Sequence, residues 1–124
     1  VQPLVLADTN VWIEFARDRH ALLRELLRGD RVVAHDAVVG ELTLGCGPRI
    51  SRLADYVATL PLCGGLLAPQ IRAIVRDAGI PCRGIGWCDA CLLAECAASG
   101  GRVRLLTEDR ALQSAADRIG VSYG

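Results

Sequence analysis

The stretch LVLADTNVWIEF, Leu4 to Phe15, changes character at a single residue. Leu4 to Ala7 is an unbroken apolar run, which suits a short strand buried on both faces, whereas Val11, Trp12 and Phe15 carry helical spacing. Between the two stands Asp8. A strand that ends in an acid and passes straight into a helix reads as the first unit of an alternating chain. In open parallel sheets the binding crevice lies beyond the C-terminal strand ends. Asp8 therefore marks both how the fold begins and where a site would lie.

The alternation continues outward. NVWIEFARDRHALLRELLRGD holds apolar residues three or four apart and predicts two helices broken near Asp18, with Gly29 as the stop. RVVAH predicts a second strand. Asp36 is placed to cap the helix AVVGELTLG, and Gly45-Cys46-Gly47-Pro48 breaks it. Helices follow over about 50–59 and 68–77, with a turn at 61–65 between them. After the loop IPCRGIGW come a helix, CDACLLAECAAS, a strand, VRLLT, a helix, DRALQSAADRIG, and VSY as a closing strand. The expected class is α/β, one domain over 1–124 with a mainly parallel central sheet flanked by helices.

The 124 residues, 52% of them hydrophobic, bury a core without needing a disulfide staple. No signal core or membrane-length apolar run is legible, so a cytoplasmic protein without a membrane partner is expected. The six cysteines are then expected as reduced, partly buried thiols. Fourteen basic residues balance fourteen acidic ones, so any nucleic-acid contact must be local. Every basic residue is arginine, which excludes mechanisms built on a catalytic lysine.

The acids form the candidate site. Asp8 and Asp109 follow predicted strands, Asp89 opens a helix after a glycine-rich loop, and Glu41 lies one turn into the helix after RVVAH. Singly, Asp89 and Asp109 have an ordinary reading as helix caps and Glu41 as a solvated side chain, whereas an acid ending a buried strand, Asp8, is less ordinary. Gathered together they need a counter-charge: two like charges about 4 Å apart repel by ~1 kcal/mol in water and ~4 kcal/mol in a partly enclosed site. Oxygen donors without a nearby histidine point to Mg²⁺ or Mn²⁺. Such a cation can polarise a phosphodiester, acidify water and shield the leaving oxygen. Asn10 and Thr107 are placed either to orient carboxylates or water, or to serve as a helix cap and a strand-end hydroxyl.

Cys88 and Cys91 flank Asp89 as a Cys-x-x-Cys pair, but no second Cys or His pair completes a tetrahedral zinc set at a usual spacing. Arg83 and Arg110 are nearest the acids in sequence and are candidates for holding a phosphodiester backbone. Trp12 and Trp87 could stack on a splayed base, but tryptophans so placed more often pack beneath a site as core, a reading favoured for Trp12 especially. His20 and His35 belong to no nucleophile motif.

The segments VLADTNVWIE, HDAVVGELTLG, RGIGWCDACLLA and LLTEDRAL, in this order, resemble the PIN-domain ribonucleases, and among them the VapC-type toxins of bacterial toxin–antitoxin pairs. The resemblance implies that Asp8, Glu41, Asp89 and Asp109 form an acidic quartet holding Mg²⁺ or Mn²⁺, with Asn10 and Thr107 as accessory polar groups. It also implies hydrolysis of transfer, ribosomal or messenger RNA that stops translation, a homodimer, and a cognate VapB-type antitoxin. Where several related toxins carry a basic residue before the last acid, this chain has Glu108. A catalytically silent PIN-like module is the alternative of the same fold. A receiver domain or a haloacid-dehalogenase-like phosphatase would need a lysine that is absent. A thioredoxin-like protein would leave the carboxylates unexplained.

Overall fold

The computed structural model describes residues 2–45, 47–81 and 83–124, so the readings on Cys46 and Cys82 lie outside the described residues. β1 (Leu4–Ala7) leads into α1 (Thr9–Ala16) and α2 (Ala21–Arg28), then β2 (Val32–Val33), α3 (Asp36–Thr43), α4 (Pro48–Val57) and α5 (Ala68–Ala78). α6 (Trp87–Ala98), β3 (Val103–Leu106) and α7 (Arg110–Arg118) complete the order.

The sheet among these residues runs β2-β1-β3, all parallel, with Val5 opposite Val32 and Leu4–Ala7 paired with Val103–Leu106. β1 is central, and Val5, Leu6 and Ala7 are fully buried, as an unbroken apolar run requires when helices cover both faces. The strand order reverses direction at β1: one connection leads to β2 on one side and a later one to β3 on the other. Open sheets bind ligands at such a switch point.

Helical periodicity places the core. Leu23 and Leu26 of α2, Leu53, Ala54 and Val57 of α4, and Leu112, Ala115 and Ala116 of α7 are buried at positions three or four apart. Trp12 is buried completely and meets Phe15 and Tyr56 edge-on, with ring centroids 5.6 and 6.2 Å away. α6 is apolar on more than one side, with Leu92, Leu93 and Ala94 all buried, because it packs against α3, α5, α7 and β3.

Gly29 caps the C-terminus of α2, as expected, and Asp30 follows it in the left-handed region at φ 54°. Two local expectations change. The α3 cap is His35, whose Nδ1 accepts from the Ala37 amide at 3.0 Å; Asp36 is the first helical residue. VSY contributes one bridge, Ser122 to Leu105, rather than a strand. β2 is short for a related reason: after Val33 the chain turns to Leu62, with Ala34 donating to the Pro61 carbonyl and accepting from Cys63. Among the described residues no helix is long and apolar enough to cross a membrane.

Candidate active site

Pairing Ala7 with Leu106 puts the next residues of both strands, Asp8 and Thr107, side by side beyond the sheet. Asp8 is the N-cap of α1, its Oδ1 accepting from the Val11 amide at 3.2 Å. Its Oδ2 accepts from the Thr107 hydroxyl at 2.5 Å. The same Thr107 oxygen accepts from the Asp109 amide at 3.0 Å, and Asp109 in turn caps α7 through Leu112 at 2.9 Å. One buried hydroxyl thus ties two acids from opposite ends of the chain. Asn10 does not cap α1, because Asp8 does, and it faces the cavity instead.

The helices supply the other wall. Asp89 sits in the first turn of α6 and accepts from the Gly86 amide at 3.2 Å. Glu41 projects from α3 and accepts from the Thr9 hydroxyl. The loop before α6 can lie against α7 because Gly84, at φ 73°, has no side chain; a Cβ there would fall 2.7 Å from that of Ala111.

Asp8, Glu41, Asp89 and Asp109 all line one cavity of about 440 Å³ with Thr9, Asn10 and Cys88. Among the described residues none of these four acids forms an ion pair with an arginine or histidine. Burial, foremost, and the charges of Asp89 and Asp109 push the Asp8 carboxyl up, against the lowering effect of Thr107 and Val11. Asp89 is also raised, first by burial and then by Asp109 and Glu41, while the Gly86 amide opposes this. The site is an acidic pocket with no counter-charge from the described residues.

The donor chemistry suits a hard divalent cation, since carboxylate and hydroxyl oxygens dominate the lining. The sulfur present does not compete. Burial first, then Glu41 and the charge of Asp89, hold the Cys88 thiol far above its ordinary range and therefore protonated. As the side chains stand, no three His, Cys, Asp or Glu residues among those described are gathered tightly enough to enclose a metal. Each acid instead rests on a local hydrogen bond: Asp8 on Thr107 and Val11, Asp89 on Gly86, Asp109 on Leu112 and Glu41 on Thr9.

The Cys-x-x-Cys pair divides. Cys88 lines the acid cavity, whereas Cys91 is buried among Ile71, Ala90 and Ala94, and Cys96 belongs to the main core. The four described cysteines, Cys63, Cys88, Cys91 and Cys96, are free thiols. Arg83 and Arg110 do not line the cavity; Arg110 lies in a neighbouring depression with Thr107 and Glu108. Glu108 is also outside the acid cavity, 3.8 Å from His20 Nε2. Sequence reading missed Thr9, whose hydroxyl meets Glu41 across thirty-two positions, and Leu44, exposed at the cavity rim. Nothing local in the sequence signals either one.

The PIN domain family profile matches residues 5–118. The chain is similar to "Ribonuclease VapC32" of Mycobacterium tuberculosis strain CDC 1551 / Oshkosh and of strain ATCC 25618 / H37Rv. Each is 35% identical over 119 residues, covering 96% of this chain and 95% of the relative.

Proposed function

The chain belongs to the PIN-domain family, and from that premise we propose that it is a metal-dependent endoribonuclease of the VapC toxin type. One observation carries the reading: four carboxylates from four separate segments converge on one cavity beyond the C-terminal ends of parallel strands, without a cation of the protein's own to balance them.

In this reading Asp8, Glu41, Asp89 and Asp109 hold Mg²⁺ or Mn²⁺. When bound, the cation supplies Lewis-acid polarisation of the phosphodiester and shields the charge that develops on the leaving oxygen. The protein's groups do the rest. Thr107 fixes the Asp8 carboxylate through Oδ2 while the α1 N-terminus holds Oδ1, so this acid cannot rotate away. Asn10 presents an amide to the cavity that can orient a water or a phosphate oxygen. Hydrolysis forms a bond from a water oxygen to phosphorus and breaks one P–O ester bond. The leaving oxygen takes up a proton.

The same reading makes the protein the toxin of a type II pair. It cuts transfer, ribosomal or messenger RNA, inhibits translation in the cytoplasm, acts as a homodimer, and is silenced by a VapB-type antitoxin. The PIN-domain match and the name of the VapC ribonuclease relatives support the ribonuclease and toxin-type parts of this reading; the remaining points are what the VapC-type resemblance implies. The test is brief expression of the chain with and without its upstream neighbour gene, followed by mapping of new RNA 5′ ends. Discrete cuts that the neighbour suppresses, and that Asp8→Asn eliminates, are expected. A transcriptome without new ends would leave a silent PIN-like binding module.

A further inference from the structure

On the far side of the first turn of α6 from the acid cavity lies a second depression, of about 390 Å³, between α5 and the segment leading into α6. Its lining separates by chemistry. Arg72, Val75 and Arg76 occupy one face of α5 by their i, i+3, i+4 spacing, Ile80 and Ile85 form an apolar floor, and Trp87 stands at the edge. Trp87 is 53% exposed, while the other tryptophan, Trp12, is wholly buried. Core packing accounts for Trp12 and does not account for Trp87 within the chain. Among the described residues, Arg72 and Arg76 form no ion pair and donate no side-chain hydrogen bond, so two cations one helical turn apart border this indole with no acid in the lining.

We propose that this groove is a substrate subsite in which single-stranded RNA stacks one base on Trp87 while Arg72 and Arg76 hold the phosphates flanking that base. The proposal rests on the ribonuclease reading above and names how that substrate is gripped. Three features select a single strand. An exposed indole offers a face to an unpaired base, which a duplex keeps stacked inside. Paired arginines match phosphate and would be left unpaired by an apolar partner helix. Trp87 lies one and two residues before Cys88 and Asp89, which line the acid cavity, so the groove and the cavity share the first turn of α6. A base held at Trp87 therefore sets which neighbouring phosphodiester reaches the acids. Arg72 and Arg76 join Arg83 and Arg110 as groups placed to hold the backbone.

The test is titration of a short, 5′-fluorescein-labelled oligouridylate with the full chain in EDTA, where binding is read without cleavage from the anisotropy of the label. Trp87→Ala is expected to weaken binding about tenfold, with Trp87→Phe retaining most of it. The Arg72→Gln, Arg76→Gln double variant should weaken it further and lower the slope of log affinity against log salt by about 1.4. With Mg²⁺ present, the same variants should raise KM and leave kcat unchanged. Folded variants that keep wild-type affinity and salt slope would overturn the subsite, as would a wild type that shows no oligouridylate binding. So would variants that alter oligomeric mass or antitoxin affinity while oligouridylate binding persists, since the groove would then serve a protein. Wild-type cleavage alongside unaltered variants sinks the subsite alone. Absence of wild-type cleavage sinks the ribonuclease reading, and the EDTA titration remains a separate readout.

Discussion

The two walls of the acid cavity are built differently. On the sheet side, Asp8 and Asp109 are helix N-caps joined through Thr107, and Asp8 and Thr107 are only 5% and 6% exposed. On the helix side, Asp89 and Glu41 come from α6 and α3 and rest on one hydrogen bond each, to Gly86 and Thr9. The sheet side is pre-organised because strand pairing fixes its backbone and a shared hydroxyl fixes its side chains. The helix side can adjust by side-chain rotation alone. A site with one fixed wall and one adjustable wall can keep its carboxylates apart while uncompensated and draw them inward around a cation.

The largest effect expected from this contrast is at Asp8. Asp8→Asn keeps an oxygen for the Val11 amide but removes the charge, so RNA cleavage should fall by about a hundredfold or more while the melting temperature holds or rises. Full cleavage by that variant with Mg²⁺ present would contradict the assignment. Next come the two threonines. Thr107→Val strips a donor from a buried carboxylate and an acceptor from the Asp109 amide. A loss of about 1–3 kcal/mol in denaturant unfolding is expected, along with about 10–100-fold in metal affinity. Thr9→Val removes only an exposed contact to Glu41 and should stay within about 0.5 kcal/mol. Equal losses at the two positions would erase the distinction between the walls.

Acid titration sharpens it further. Asp8 and Asp89 are both raised above their unfolded values, so the folded chain holds their protons more tightly. In EDTA, their contribution to stability should be fully present below pH ~4 and lost as pH rises through the raised values, because the folded state then binds more protons than the unfolded one. Asp8→Asn should flatten that slope. Mg²⁺ at a hundred times its dissociation constant should restore about 2.7 kcal/mol at neutral pH, read as a shift in melting temperature that Asp8→Asn abolishes. The smallest effect is expected at the thiol. Cys88→Ser should leave cleavage and its metal response unchanged, because Cys88 stays protonated beside Glu41. Cleavage that collapses under oxidant and returns with reductant would instead give the sulfur a regulatory part.

Much of this arrangement was legible in the chain. The apolar run before Asp8 identified one strand end, because a strand buried on both faces leaves little else in the sequence, and VRLL before Thr107 and Asp109, apolar save for Arg104, identified the other. Gly84 and Gly86 marked the loop before Asp89. Local caps were harder: Asp36 looked the better cap by residue type, yet His35 holds the place because its extended backbone aims Nδ1 at the Ala37 amide. Arg83 and Arg110 were read by nearness in sequence, and neither lines the acid cavity itself. Arg72 and Arg76 lie well before Asp89 along the chain yet line a groove beside it, because α5 packs on α6.

The sequence by itself determined the alternation of strands and helices, the four acids that cap or follow them, and the family to which the chain belongs. The alternation and the placing of the acids are consequences of local periodicity and residue type; the family came from the resemblance of four segments to known members. Only the tertiary structure decided that Thr107 bridges Asp8 to Asp109, that Thr9 meets Glu41, that Cys88 and Cys91 part company, and that Trp87 faces outward beside two arginines. Each of those facts depends on which faces meet when α3, α5, α6 and α7 close over the parallel sheet. Packing, unlike periodicity, is set by contacts between residues far apart in the chain.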